Sequence, residues 1–319
     1  MKQILLLIGA LFINQLPIQS DDQDIYVARY RGDKVCAVSY TFDDGLAEHY
    51  TLVVPQLEKR GFRGTFFING SKINQDKGHL RDTTRVTWSQ LKDMAERGHE
   101  ISNHGWAHRN FARFPLDILK EDILKNDSAI YACTGIMPRT FAYPNNNKSE
   151  PGLSFVEKNR VGTRIEQRSV GSKRTLEDLN GWLDALIQKG SWGVGMTHGL
   201  TYGYDAFRNP QRLWEHWEYV KKHKDKVWVG TFREVAAYIK EREEVKITID
   251  RHETRIYISP ELELEQNLFT EYLTMVICNK EGKNISVKQR GKKLPVEIRN
   301  GKVLFDFNPY GGKITVSIK

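Results

Sequence analysis

Cysteine is scarce in this chain of 319 residues, with only Cys36, Cys133 and Cys278, far apart. So few thiols argue against a disulfide framework, an odd number leaves at least one unpaired, and their scatter argues against a zinc–thiolate site. Cys36 and Cys278 lie in apolar, strand-like runs and read as small buried residues. Long apolar runs are also lacking. The longest is residues 4–13 of MKQILLLIGALFINQLPIQS, preceded by Lys2 and followed by small polar residues. It is too short for a membrane span and fits a secretory signal peptide ending near Ser20, so the chain is expected to be secreted or periplasmic. No cysteine near that point offers a lipid anchor. Blocks of one charge are missing too. Lys and Arg number 48 against 40 acidic residues, a formal charge of +8, but the signs are interleaved. That pattern, with no nucleic-acid motif, describes a solvated surface with at most mild attraction to anionic glycans or a cell envelope. Internal repeats and low-complexity segments are absent.

What is present suits a soluble globular protein: 39% hydrophobic and 28% charged residues, with enough chain for one large domain and an appendage or for two domains. Residues 35–42 (VCAVSYTF), 64–68, 100–103, 140–143, 192–197 and 226–230 read as strands. Residues 50–59, 87–97, 116–131, 176–189, 210–222 and 231–241 read as helices between them, the second opened by a Thr/Ser cap. This alternation predicts an α/β fold whose parallel sheet closes, or nearly closes, as a barrel. After residue 244 the texture changes to seven strand-like runs between residues 245 and 318, with turn signals at 279–283, 300–301 and 311–312. These predict an antiparallel β-sandwich of about 75 residues. The expected organisation is a signal peptide over 1–20, a barrel over 21–243 and a β-sandwich accessory domain over 244–319.

Reactive groups of α/β barrels gather on loops at the carboxyl ends of strands, and four clusters here occupy such positions. In SYTFDDGLAEHY, Asp43 and Asp44 follow a strand and precede a glycine turn. Adjacent carboxylates repel, which a cation would relieve, although a helix cap with a spare acid gives the same pattern. In SNHGWAHRN, His104 and His108 stand four apart after a strand, a spacing that chance alone can produce. RTFAYPNNN has Arg139 before a strand and Tyr143 after it, and GVGMTHGL ends an apolar strand on His198. One carboxylate and two neutral imidazoles make a site for a hard-to-borderline cation with open positions for water and substrate. Water on such an ion ionises near neutrality, a spare carboxylate can take its proton, and a histidine opposite can protonate a leaving group.

Together these motifs resemble the polysaccharide deacetylases of carbohydrate esterase family 4, with the NodB-type domain, over roughly residues 35–240. TFDDG (41–45) is similar to the family's first motif, GHEISNHGWAH (98–108) to its second, RTFAYP (139–144) to its third and THG (197–199) to its fifth. The resemblance implies a distorted (β/α) barrel with fewer than eight regular units. It implies Asp43 as catalytic base, Asp44, His104 and His108 as ligands of a divalent metal, and His198 as general acid. It also implies that Arg139 orients Asp43 and that a backbone N–H in the Tyr143 loop helps hold the oxyanion. Zinc is the default ion, with cobalt or nickel able to serve. The implied activity removes N- or O-acetyl groups from a poly- or oligosaccharide. Hydrolysis of a different C–N bond, such as a cyclic amide, and glycan binding on a degenerate deacetylase scaffold are the alternatives.

The sequence departs from the family pattern twice. Gly105 stands where the family prefers Ser or Thr, which should loosen the histidine loop more than abolish metal binding. The stretch RVGTRIEQRS lacks the aspartate and tryptophan expected near the acid histidine, leaving Arg164 and Glu166 as substitutes that would shift His198 in opposite directions. His49, His79, His99, His216, His223 and His252 read as surface or structural. Trp106 either lines an acyl pocket or fills a loop core, and Trp192, Tyr202 and Tyr204, which flank His198, offer sugar platforms or core packing. Asn145, Asn146 and Asn147 are a glycan-facing rim or a turn.

Overall fold

A computed structural model describes residues 24–73, 83–150, 152–207, 209–278 and 284–318. The expected signal peptide, His79 and the turn at 279–283 lie outside those residues. The described strands are β1 (Ile25–Val27), β2 (Cys36–Asp43), β3 (Thr65–Ile68), β4 (Glu100–Asn103), β5 (Thr140–Ala142), β6 (Gly162–Arg164), β7 (Arg168–Ser169), β8 (Trp192–Thr197) and β9 (Val227–Val229). The helices are α1 (Val54–Glu58), α2 (Trp88–Glu96), α3 (Leu116–Thr134), α4 (Gly152–Glu157), α5 (Leu176–Lys189), α6 (Gln211–Lys222) and α7 (Phe232–Glu244). Eight more strands follow: β10 (Lys246–His252), β11 (Arg255–Glu261), β12 (Leu273–Cys278), β13 (Ile285–Gln289), β14 (Lys292–Lys293), β15 (Glu297–Arg299), β16 (Lys302–Phe307) and β17 (Ile314–Ile318).

Strands β2 to β9 form one curled parallel sheet in the order β6-β5-β4-β3-β2-β8-β7, with β9 beside β2. One edge of β2 is shared: β9 pairs with its first half, Cys36 to Val38, and β3 with its last residues, Thr41 to Asp43. The sheet runs from β6 to β7 as an open, distorted barrel. Every residue of β2 is buried, as expected of a parallel strand covered on both faces, and this is why VCAVSYTF reads as continuous rather than alternating. Tyr40, Phe42 and Phe66 pack beneath Trp217 of α6, Leu57 of α1 and Leu183 of α5.

Local chemistry sets the helix ends. Thr87 with Gln90, Thr175 with Asp178 and Thr231 with Glu234 form capping boxes that open α2, α5 and α7. Gly135 and Gly190 close α3 and α5 with φ of 72° and 61°, a left-handed stop that glycine adopts without strain. The segment expected as one helix over 50–59 instead starts as a π-helical turn, His49–Val53, before α1. Pro55 has no N–H to return to Thr51, so the preceding turn widens. Five short elements, β1, α4, β6, β7 and β14, are additions to the expected set; the polar segment GTRIEQRS carries no strand-like apolar pattern.

The remaining strands form two antiparallel sheets, β1-β12-β16-β15 and β10-β11-β17-β13-β14. Their inner faces meet in one core: Val27, Met275, Phe305 and Phe307 from the first, Ile256, Ile258, Ile314 and Val316 from the second. This is the expected sandwich-like packing. The strand β1 precedes the barrel in sequence yet pairs with β12. Helix α7 joins the two parts: the Tyr238 hydroxyl donates to the Ala28 carbonyl at 2.9 Å, and buried Glu241 accepts the Glu271 N–H at 2.8 Å. Burial pushes the Glu241 carboxyl up to about 7.

Candidate active site

The carboxyl ends of β2, β4, β5 and β8 surround a cavity of about 630 Å³ lined by Asp43, Asp44, His104, His108, Tyr143 and His198, among others. Asp43 is the last residue of β2. Asp44 turns out of the strand with φ of 74° and is followed by Gly45 at 64°. A Cβ on Gly45 would lie 2.6 Å from Ile73, so only glycine fits the turn behind the two carboxylates.

Asp44, His104 and His108 come together. Each offers one donor atom, and the three atoms lie within 4.8 Å of one another. The Asp44 Oδ1 is 3.8 Å from His104 Nε2 and 3.9 Å from His108 Nε2. That oxygen is shielded from solvent and has no hydrogen-bond partner, an arrangement that costs free energy unless a cation completes it. Nδ1 of His104 lies 2.7 Å from the Ala142 carbonyl at the end of β5. As a donor there, it leaves the Nε2 lone pair facing Asp44. Burial depresses the His104 pKa and favours the neutral ring a ligand must be. The donor set therefore fits a divalent ion with open positions.

The loop carrying the histidines is held by a buried amide network. Asn69 Nδ2 donates to the carbonyls of His104 (2.7 Å) and Gly105 (3.1 Å). Asn126 donates to Asn103 Oδ1 at 2.9 Å, and that oxygen also accepts the Gly105 N–H at 2.7 Å. Asp122 Oδ1 accepts the Ala107 N–H at 2.9 Å and Arg109 Nε at 3.2 Å. Gly105 has φ of 76°, and a Cβ there would sit 2.7 Å from the Asp122 carboxylate. The glycine that departs from the family pattern is thus required by the backbone. Rigidity expected of a hydroxyl comes from Asp122 and Asn103 instead.

Asp43 is fully enclosed, and its partner is a correction to the sequence reading. Arg139, expected to orient Asp43, precedes β5, whereas the cavity lies at the Ala142 end. Three residues of strand put Arg139 about 10 Å back along the sheet. The guanidinium on Asp43 belongs to Arg164, the last residue of β6. Its Nη1 donates to Asp43 Oδ1 at 2.7 Å and to Thr41 Oγ1 at 2.8 Å, and its Nη2 donates to Asp43 Oδ2. Arg164 also lies over the Phe67 ring at 4.8 Å. Burial alone would raise the Asp43 pKa; the Arg164 charge, with His104 and His198, outweighs it and holds the carboxyl well below the usual carboxylate range. Arg164 is therefore spent on Asp43 rather than on tuning His198, and Glu166 is exposed.

His198 stands 4.0 Å from Asp43 Oδ2 through Nε2. Two residues read as ordinary hold its loop. His49 Nε2 meets the His198 carbonyl at 2.6 Å, and burial lowers the His49 pKa to about 4. Glu48, also buried, accepts the N–H groups of Leu200 and Thr201 and the Thr201 hydroxyl (2.7 Å). The segment that supplies both carboxylates thus also clamps the His198 loop, a role whose sequence signal is two polar residues at the start of an otherwise apolar helix. Tyr204 packs edge-on to His198 at 5.1 Å between ring centroids. Asp205 lines the same cavity, and sequence reading missed it.

Tyr143 lines the cavity, with burial pushing its phenol up to about 12. Asn145 and Asn146 line it too, in left-handed conformation at φ of 58° and 55°. Trp106 packs over Gly70 outside the cavity lining. Trp192 is core, donating to Ser39 Oγ at 3.1 Å and packing on Phe232. Tyr202 donates to the Thr84 carbonyl at 2.9 Å.

Residues 31–159 match the family model described as polysaccharide deacetylase. Among curated relatives, the peptidoglycan-N-acetylglucosamine deacetylase PgdA of Listeria monocytogenes is 29% identical over 108 residues, 34% of this chain and 21% of that protein. A chitin deacetylase of Pestalotiopsis sp is 29% identical over 114 residues, 36% of each chain. The peptidoglycan-N-acetylmuramic acid deacetylase PdaA of Bacillus subtilis is 28% identical over 121 residues, 37% of this chain and 42% of that one. The matched segments thus span well under half of these relatives' lengths. A solved structure of a candidate polysaccharide deacetylase from Mycobacterium smegmatis shares the fold, with a TM-score of 0.51 at 16% identity over 72% of this chain and 98% of that one.

Proposed function

From the match of residues 31–159 to the polysaccharide deacetylase model, we propose that the chain is a member of that family and a metal-dependent hydrolase removing acetyl groups, N- or O-linked, from a carbohydrate. One observation carries this reading. Three metal donors, an enclosed carboxylate and a histidine from separate strand ends face one cavity large enough for a sugar. Asp44, His104 and His108 would hold the ion, with zinc the default. When bound, the ion polarises the acetyl carbonyl and activates water as the nucleophile.

The chain's own groups do the rest. Asp43, fixed by the Arg164 fork, is ionised and able to take a proton at Oδ2, the oxygen nearest His104 and His198. His198, across from Asp43, donates a proton to the departing sugar oxygen or nitrogen. A backbone N–H in the Tyr143 loop would help hold the developing oxyanion. Export rests on the N-terminal sequence, Lys2 followed by the apolar run at 4–13, and the division into leader, barrel and sandwich is proposed with it.

Metal analysis and acetate release from acetylated xylan, chitin oligomers and peptidoglycan fragments test the proposal. Asp43→Asn should abolish turnover yet keep the metal, and His104→Ala should lose the metal. Full activity in Asp43→Asn sinks the base assignment. Metal-free protein that releases no acetate but binds glycans would instead mark a degenerate scaffold.

A further inference from the structure

One wall of the cavity carries charge that neither the metal donors nor the proton-transfer groups use. Lys173 and Arg174 line it, beside Ser169, Tyr204 and Asp205. Arg174 is half-buried, and its Nε is shielded from solvent with no hydrogen-bond partner. Among the described residues neither cation has a carboxylate within 4.0 Å. The Arg174 charge is felt by Asp178, but with no carboxylate in contact a partly dehydrated guanidinium keeps donors free for an anionic ligand.

The loop holding these cations is built rather than loose. Ser169 and Ser172 hydroxyls both donate to the Asp205 carboxylate, and the Ser172 N–H donates to the Asp205 carbonyl at 3.0 Å. Gly171 lies so close to Asp205 that a Cβ there would be 2.3 Å from its carboxyl carbon. The Arg174 N–H returns to the Gly171 carbonyl at 3.1 Å, and Arg212 donates to the Arg174 carbonyl at 2.7 Å. The acids near the loop hydrogen-bond elsewhere, Asp205 to the two serines and Asp178 to the Thr175 N–H at 3.0 Å in the cap of α5, and Asp178 feels the Arg174 charge without touching it. Lys173 and Arg174 are left facing the cavity.

We infer that the substrate is an acetylated glycan bearing an anionic substituent, carboxylate or phosphate, on or beside the acetylated sugar, and that Arg174 with Lys173 selects it. This rests on the deacetylase reading. The carboxylates of the lining are Asp43, Asp44 and the serine-bonded Asp205, whereas Lys173 and Arg174 are its lysine and arginine. That polarity fixes which way the sugar enters and which acetyl group reaches His198. Arg174 contributes a fork that matches a carboxylate or phosphate edge, and Lys173 a point charge.

The test uses the full chain loaded with zinc. Acetate release is followed from peptide-free glycan strands whose alternate sugars carry a lactyl carboxylate, from the same strands with those carboxylates converted to methyl amides, and from a chitin oligomer with and without a 6-phosphate. The charged member of at least one pair should have kcat/KM about tenfold above its neutral partner at low salt, narrowing as ionic strength rises. The pair showing the larger ratio identifies the anion. In Arg174→Gln combined with Lys173→Gln the ratio should collapse toward one. Equal kcat/KM within both pairs, or a ratio the double variant leaves intact, overturns the inference. If no glycan yields acetate, the deacetylase reading fails on its own. Calorimetric binding of the charged and amidated strands then decides: a charge preference lost in the double variant supports the anion site, and equal binding overturns it.

Discussion

Arg164→Met removes the charge opposite Asp43 while keeping most of the side-chain volume. Both members of this pair are almost wholly enclosed, with side-chain exposures of 1% and 3%. Breaking a buried pair from one side leaves an uncompensated charge and typically costs about 3–5 kcal/mol. For a protein of this size each kcal/mol moves Tm by about 2–4 °C, so the barrel transition should fall by about 6–20 °C. The measurement belongs in chelator, so that the metal does not mask the loss. Replacing both partners, Arg164→Met with Asp43→Asn, should restore much of the stability, because no lone buried charge remains, and the cycle should give a coupling energy above about 1.5 kcal/mol. Arg164→Lys keeps the charge but not the two-pronged contact, and misplacing the base by an ångström should lower kcat/KM by about 100-fold. A Tm for Arg164→Met within 2 °C of the parent, or additivity in the double variant, would refute the argument that this guanidinium holds Asp43.

Other expectations follow from the same geometry. Gly105→Ser should cost about 1–3 kcal/mol, since it forces a side chain into a left-handed backbone against Asp122, and should weaken zinc binding measured by chelator competition. Tight metal binding in that variant would show the loop to be compliant. Asp122→Ala frees the Ala107 N–H and Arg109 and should lower metal affinity by about 10–100-fold, with acetate release recovered at high metal concentration. Adding zinc at about 100 times its dissociation constant should raise apparent stability by about 2.7 kcal/mol in the parent and not in His104→Ala. Glu241 gives a pH signature away from the site. Its folded pKa of about 7 lies above the unfolded carboxylate value, so the folded state holds the proton more tightly. Stability should therefore be greatest at or below the unfolded value and fall as pH rises through about 7, by about 1–2 kcal/mol, whereas Glu241→Gln should flatten that slope in thermal scans between pH 5 and 8.

Much of the scaffold was legible because its signals are local. The apolar run ending in TFDDG, the Thr-initiated helices and the alternation after residue 244 each express a single element's own burial or capping, and the structure places those elements there. The gathering of Asp44, His104 and His108 was legible for the same reason: each follows a strand at its carboxyl end, where a parallel sheet gathers loops regardless of how the rest of the chain closes. What escaped depends on pairing between distant elements. The strand β1 has only three residues, and nothing in IYV says that its partner lies in residues 275–277. Glu48 and His49 look like the start of a helix until the β8 loop is brought over them.

Arg164 shows how far that limit reaches. RTFAYP has an arginine before a strand, and the resemblance to the family's third motif assigned it to the base. But position along a strand sets depth between the two ends of the sheet: a residue before β5 and one at the end of β6 lie at opposite ends, although β5 and β6 are neighbours. Only the second can reach Asp43. Arg164 of β6 pairs with Ala142 of β5, the residue whose carbonyl lies 2.7 Å from His104 Nδ1, so one register fixes both the partner of Asp43 and the contact that orients His104. Shifting β6 by a single residue would turn Arg164 to the other face of the sheet and leave Asp43 buried without a counter-charge. The ion pair at the end of the polar GTR segment therefore adds to its backbone bonds in favouring that register.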